Sequence, residues 1–183
     1  SGIFLALVAG FGWARPVPVN PAAFYPNEKR GLVLVSLAGP LMNLIVAGFV
    51  ALFIRAMTAG GLLEAETRIL LSSRELVEIG VGSFGAITFL YHVLGTVVVF
   101  NIVLFLFNLL PLAPLDGYKI AVGTLPYDAS QSLRRYERET TLILMLVIML
   151  GALTDGRFDI LGPILRPLIR FFFGLLTGFY PSF

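Results

Sequence analysis

The sequence predicts an all-α membrane protein, a small transmembrane helical bundle with about three spans and additional interfacial segments. The 183 residues are 57% hydrophobic and 13% charged, and their mean hydropathy is +0.91. Soluble domains carry about 25% charged residues, so membrane residence is the default class. Residues 32–54 and 79–115 contain no charged side chain, and about 20 apolar residues suffice for a helix to cross a bilayer.

Composition also excludes several classes of function. The net charge is +2 and no basic block is present, so we expect no nucleic-acid partner. The chain has no cysteine, which excludes disulfides, thiolate metal sites and a cysteine nucleophile. The length predicts one domain covering residues 1–183.

The first segment, residues 1–31, is predicted to be re-entrant or extended. Residues 3–13 are apolar but too few to span, and the three prolines within Pro16–Pro21 disfavour a helix. This proline-rich stretch is either a plain loop or an edge that pairs with a substrate strand. The chain starts at Ser1, inside a hydrophobic element with no signal-peptide pattern. We therefore expect a missing upstream piece; removal of an initiator Met is the alternative.

Two spans follow. The first covers 32–54, and it contains Gly39, Pro40 and Asn43, which a span tolerates where neighbouring helices satisfy the freed polar groups. The uncharged run after residue 79 is too long for one span and too short for two. We divide it into a glycine-rich lead-in and a span over 87–110, which Pro111 and Pro114 end.

A third span is predicted at 141–154, although it is short unless neighbouring residues extend it. The tail at 160–178 is predicted to be an interfacial amphipathic helix. Its Arg166 and Arg170 share one helical face, and their aliphatic stems can reach from the interface to water.

Lys and Arg residues predict the orientation of this multi-pass protein. With three spans, the loops at 14–31 and 117–140 share one side and hold seven basic residues, against four on the other side. The seven are Arg15, Lys29, Arg30, Lys119, Arg134, Arg135 and Arg138, and the four are Arg55, Arg68, Arg74 and Arg157. The first side, which includes Asp116, is therefore predicted to be cytoplasmic.

Asp116 is the first charge after the long uncharged run. An ionisable group at membrane depth is a functional candidate by default, and it could be a metal ligand, a proton relay, or a helix cap and ion-pair partner of Lys119. Asn108 lies eight residues upstream. Its amide could donate to a substrate carbonyl or oxyanion, or simply join two helices, as could Asn43 and Asn101.

Three segments carry a resemblance to a known family. They are Phe11-Gly12-Trp13-Ala14-Arg15-Pro16-Val17-Pro18-Val19-Asn20-Pro21, Ala38-Gly39-Pro40-x-x-Asn43 and Asn108-x-x-Pro111-x-x-Pro114-Leu115-Asp116-Gly117. Together they resemble the site-2 protease family of intramembrane zinc metalloproteases over about residues 5–123, in the family's order. Tyr118 departs from the pattern, because a small residue is expected after the Asp-Gly pair.

The resemblance implies a zinc ion held by two histidines of a His-Glu-x-x-His helix and by the Asp of Leu-Asp-Gly, with the Glu as general base. By position, Asp116 is the implied zinc ligand and Asn108 the implied catalytic contact to the substrate carbonyl. The implied substrate is a transmembrane protein, with the cleaved peptide bond near the cytoplasmic face.

One absence leaves alternatives open. The single histidine is His92, and no His-Glu-x-x-His occurs, so that helix is expected a few tens of residues before Ser1. The chain is then the C-terminal part of a zinc endopeptidase. Alternatively it is a non-catalytic homologue that serves as a structural or assembly subunit of a membrane complex. An ion-conducting protein that uses Asp116 and His92 would need further carboxylates, which the predicted spans lack. His92 is a lone metal ligand, a proton carrier or an ordinary bundle histidine.

Overall fold

The described part of the protein is helical throughout. A computed structural model describes residues 24–60, 86–154 and 157–179, and within these ranges every regular element is an α-helix. The helices are α1 (Glu28–Ala59), α2 (Ala86–Asn108), α3 (Asp116–Thr124), α4 (Tyr127–Arg135), α5 (Glu137–Leu153) and α6 (Gly162–Thr177). The all-α prediction is confirmed for these residues. The predictions for 1–23 and for the lead-in at 80–85 lie outside the described residues.

Helices α1 and α2 coincide with the first two predicted spans. Helix α1 and the 89–108 portion of α2 are long and apolar enough to cross a membrane. At 1.5 Å per residue they measure about 48 and 30 Å, against a hydrocarbon thickness of about 30 Å. Pro40 lies inside α1 without ending it. Helix α1 begins at Glu28, so the last residues of the predicted extended segment are helical, and a carboxylate in the first turn favours that start.

The described residues support two spans rather than the predicted three. Helix α5 coincides with the third predicted span, but it has only 17 residues and its first turn contains Glu137 and Glu139. Its uncharged stretch over 141–153 would measure about 20 Å, which is shorter than the hydrocarbon core. The apolar pattern of this stretch was identified from the sequence, whereas its length does not meet the requirement for a span.

The core lies between α1 and α2, which run antiparallel. Tyr91 near the start of α2 donates a hydrogen bond of 3.4 Å to the carbonyl of Ile54 near the end of α1. Ala47 and Ala51 on α1 are fully buried in the same cluster as Val98 and Ile102 on α2. Small side chains on one helix let the two backbones approach closely, and such packing drives helix association in lipid.

Helix α6 adds a third layer to this core. Leu165, Ile169 and Phe173 recur every fourth residue and are buried against α1 and α2. The ring of Phe172 meets Phe105 of α2 edge to face, with centroids 5.5 Å apart. The helix therefore lies within the predicted tail at 160–178 and uses its apolar face for packing on the spans. Its interfacial depth remains a prediction.

Helix α3 packs against the N-terminal half of α1 and against α4. Gly123 of α3 lies so close to Val33 of α1 that a Cβ atom at 123 would overlap that side chain. On its other side, Ala113, Tyr118 and Val122 form a small buried cluster with Leu133 of α4. Helix α3 therefore lies between α1 and α4, just after the second span.

Candidate metal site

Asp116 lies where the chain reverses direction after the second span. Helix α2 ends at Asn108 and α3 begins at Asp116. The connecting loop is tied by two short backbone hydrogen bonds, from the N–H of Leu112 to the carbonyl of Leu110 (2.8 Å) and from the N–H of Leu115 to the carbonyl of Leu112 (2.9 Å). Prolines in this loop have no N–H and cannot continue a helix. Helix α2 ends at Asn108, two residues before the predicted end at 110.

Gly117 is required by the packing of this loop. A Cβ atom at 117 would overlap the carbonyl oxygens of Leu109 and Leu110. Backbone atoms cannot swing aside as the end of a flexible side chain can, so a side chain here would force the loop and α3 apart. The glycine of the Asp-Gly pair thus lets the first turn of α3 rest directly on the end of the second span.

The two carboxylate oxygens of Asp116 face different surroundings. Oδ1 lies 3.1 Å from Nζ of Lys119, one turn later on α3, in a pair that is partly exposed. Oδ2 faces α1 at Gly39, where a Cβ atom would lie 3.3 Å from it. The structure therefore brings together two of the sequence motifs, Ala-Gly-Pro and Leu-Asp-Gly, and places one carboxylate oxygen at their junction.

Asn108 lies at the end of α2, just before the loop that leads to Asp116. It is half-buried, and its amide donates a hydrogen bond of 2.9 Å to the carbonyl of Leu104. Asn101 makes the same kind of bond, 2.8 Å to Val97. An amide has two N–H groups, so Asn108 has a second N–H besides the one bonded to Leu104. Its catalytic role remains a prediction.

His92 does not belong to this site. It lies near the start of α2, and the 16 residues that separate it from Asn108 correspond to about 24 Å along a helix. Within 24–60, 86–154 and 157–179, no group of three His, Cys, Asp or Glu side chains could hold a metal ion. Asp116 fits one position in a zinc site, and the sequence does not contain the two histidines of the family pattern.

Tyr118, the departure from the family pattern, is buried and hydrogen-bonded. Its hydroxyl donates a hydrogen bond of 2.9 Å to Oε2 of Glu137, the first residue of α5. Burial raises the pKa of Tyr118 to about 12, and the bond to Glu137 and the negative charge of that residue act in the same direction. The charge of Arg134 opposes them. The hydroxyl is therefore a firm hydrogen-bond donor at neutral pH.

Replacing Glu137 with Gln is expected to lower the pKa of Tyr118, because a negative charge is removed while burial still favours the neutral phenol. From pH 10 to about pH 12 the unfolded chain ionises this tyrosine and the folded chain does not. The free energy of unfolding therefore falls as pH rises through that window and is independent of this group below it. Tyrosinate absorbance, measured as a difference from Tyr118→Phe, gives the pKa. If the pKa of Tyr118 in Glu137→Gln equals its pKa in the Glu139→Gln control and in the unmodified protein, this assignment is contradicted.

Comparison with known proteins identifies the family. The sequence profile of peptidase family M50 matches residues 5–152. The chain belongs to peptidase family M50. "Putative zinc metalloprotease YwhC" of Bacillus subtilis (strain 168) is 34% identical over 179 residues, which cover 92% of this chain and 73% of that protein. No solved structure matches the chain.

Membership in family M50 confirms the resemblance to the site-2 protease family. Because that family is membrane-embedded, membership agrees with the two candidate spans. Two contacts of the M50 chain were not predicted from its sequence. Gly39 was identified only as part of a motif, and its place beside Asp116 follows from helix packing. The bond between Tyr118 and Glu137 has no signal in spacing, because the two residues lie on different helices.

Proposed function

We propose that this chain contributes the aspartate side of the active site of an intramembrane zinc metalloendopeptidase. The two histidines and the glutamate base would come from outside these 183 residues. The observation that carries the proposal is the position of Asp116 Oδ2, beside Gly39 of α1 at the end of the second span. Membership in family M50 supports the same assignment.

Each polar residue near the loop has a task in this proposal. When bound, zinc supplies a fourth coordination position for water and lowers the pKa of that water. Asp116 would bind the metal through Oδ2, while the ammonium group of Lys119 would hold Oδ1. Such a hydrogen bond fixes the orientation of a metal ligand. Asn108 would donate its remaining N–H to the carbonyl oxygen of the scissile peptide bond.

The proposed substrate is a transmembrane protein. A helix in lipid shields its peptide bonds with its own hydrogen bonds, so helix-breaking residues in the substrate would be needed to expose the backbone. The start of α1 and the segment after α2 share one side of the bundle because the two spans run antiparallel. The excess of Lys and Arg on that side supports a cytoplasmic position for Asp116 and for cleavage.

The proposal is tested on the full-length protein, including whatever coding sequence lies upstream. Elemental analysis is expected to find about one zinc per chain, as three protein ligands bind a catalytic ion. In vesicles, the protein is expected to cut a transmembrane peptide that carries a helix-breaking residue. A chelator should stop cleavage and added zinc should restore it. A full-length protein that has the His-Glu-x-x-His helix, yet neither holds zinc nor cleaves, would refute the proposal.

The single histidine of the sequence favours a second candidate, a non-catalytic subunit of a membrane complex. This candidate predicts that the coding sequence lacks His-Glu-x-x-His. It also predicts that the protein co-purifies with another membrane protein at fixed stoichiometry. A zinc-free protein that purifies alone would contradict this candidate.

A further inference from the structure

Helix α3 presents two polar side chains in opposite directions. Successive residues of a helix are rotated by about 100°, so positions 116 and 118 point to nearly opposite sides. On one side, Asp116 meets Gly39 of α1. On the other, Tyr118 packs in the cluster with Ala113, Val122 and Leu133 and reaches Glu137. Whatever holds Tyr118 in place therefore also sets the direction of Asp116.

The bond to Glu137 is the main polar restraint on α3. Among the described residues, it is the one side-chain hydrogen bond that joins α3 to another helix; the pair of Lys119 with Asp116 and the bonds of Thr124 remain within α3. The ring of Tyr118 is only 6% exposed. Its hydroxyl thus has a fixed position from which to donate, and Glu137 accepts at 2.9 Å.

A small rotation of α3 would misplace the carboxylate. Helix α3 has nine residues, and a side-chain oxygen lies roughly 5 Å from the axis of a helix whose Cα radius is about 2.3 Å. A rotation of about 20° would then move that oxygen by roughly 2 Å. Metal sites need ligand positions held to about 0.5 Å, so a contact on the far side of α3 that limits its rotation would help to hold Asp116 in place.

We propose that the hydrogen bond from Tyr118 to Glu137 is a positioning contact that keeps Asp116 directed at Gly39. The proposal deepens the proposed function and rests on it, because it concerns how the metal ligand is held. Tyr118 and Glu137 touch neither substrate nor metal in this assignment. Apolar packing of the ring keeps α3 folded, and the hydroxyl fixes its rotation.

The test uses the full-length protein loaded with Co²⁺, whose visible spectrum reports coordination geometry, and with Zn²⁺ for affinity. Tyr118→Phe and Glu137→Ala are each expected to weaken zinc affinity about 10-fold, the lower end of the range for outer-shell changes, and to alter the cobalt spectrum. The double variant is expected to be no weaker than either single variant, because both remove the same bond. Glu137→Gln retains an acceptor and is expected to keep the zinc affinity and the cobalt spectrum of the unmodified protein.

Matched controls separate this effect from general damage. Tyr127→Phe removes a hydroxyl from an exposed tyrosine of α4, and Glu139→Ala removes an acid from the same first turn as Glu137. Both controls are expected to leave affinity and spectrum unchanged. In zinc-free protein, backbone amides of α3 are expected to exchange with deuterium faster in Tyr118→Phe than in Tyr127→Phe. If Tyr118→Phe does not fold, the test relies on Glu137→Ala, because Glu137 is exposed.

Two failures can be told apart. Unmodified protein that binds neither Co²⁺ nor Zn²⁺ would overturn the proposed function, and this inference with it. Unmodified protein that binds both, while Tyr118→Phe and Glu137→Ala bind within about 2-fold of it and show the same cobalt spectrum, would overturn the positioning role alone.

Discussion

Full-length protein carrying Asp116→Ala is expected to lose its zinc and its proteolytic activity. Removing an outer-shell partner of a metal already costs 10–100-fold, so removing a direct ligand is expected to weaken zinc binding by more than about 100-fold. Among the described residues, no group of three His, Cys, Asp or Glu side chains offers an alternative metal site. Zinc content per chain and the cleavage rate of a transmembrane peptide measure the effect.

Asp128→Ala is the matched control for this change. Asp128 is also an aspartate in the first turn of a short helix, α4, and it is exposed. Its replacement removes the same charge from the same side of the bundle, and it is expected to leave zinc content and cleavage unchanged. Zinc retained at one ion per chain in Asp116→Ala would show that the carboxylate is an ordinary helix-start residue paired with Lys119.

Gly117→Ala is expected to destabilise the protein by about 2 kcal/mol, within the range for overpacked interiors, and to disturb the metal site as well. The added methyl group would overlap the carbonyl oxygens of Leu109 and Leu110, so α3 must move away from the end of α2. Asp116, the preceding residue, moves with it. Equilibrium unfolding in detergent measures the first effect, and zinc affinity of the full-length protein measures the second.

Gly48→Ala provides the opposite expectation. Gly48 lies inside α1, and a Cβ atom there would have no neighbour within 4 Å. Alanine in a helix interior is favoured over glycine by roughly 0.5–1 kcal/mol, so this variant should be equal to or more stable than the unmodified protein. Equal stability of Gly117→Ala and Gly48→Ala would show that the loop yields without cost.

The long helices could be predicted because their signal is local. The span predicted at 87–110 rests on an uncharged run followed by Pro111 and Pro114, and it agrees with α2 within two residues at each end. The described residues do not support the third predicted span, because an apolar run identifies hydrophobic surface, whereas crossing a bilayer also requires length. Helix α5 has an apolar surface but only 17 residues.

The surroundings of Asp116 could be predicted only in part. Lys119 lies one turn away on the same helix, so its pairing with Asp116 can be predicted from their spacing in the sequence. The approach of Gly39 depends on how α1 packs against α3, and the bond between Tyr118 and Glu137 depends on the path of the chain through α4. Such contacts are set by tertiary packing, which leaves no periodic pattern in the sequence.

The pairing of Asp116 with Lys119 also bears on the cost of placing a charge at the end of a span. An ionisable group at membrane depth is costly, and here an ammonium group lies 3.1 Å from Oδ1, with both side chains partly exposed. The carboxylate is therefore one half of an ion pair at the boundary of the bundle rather than an isolated charge.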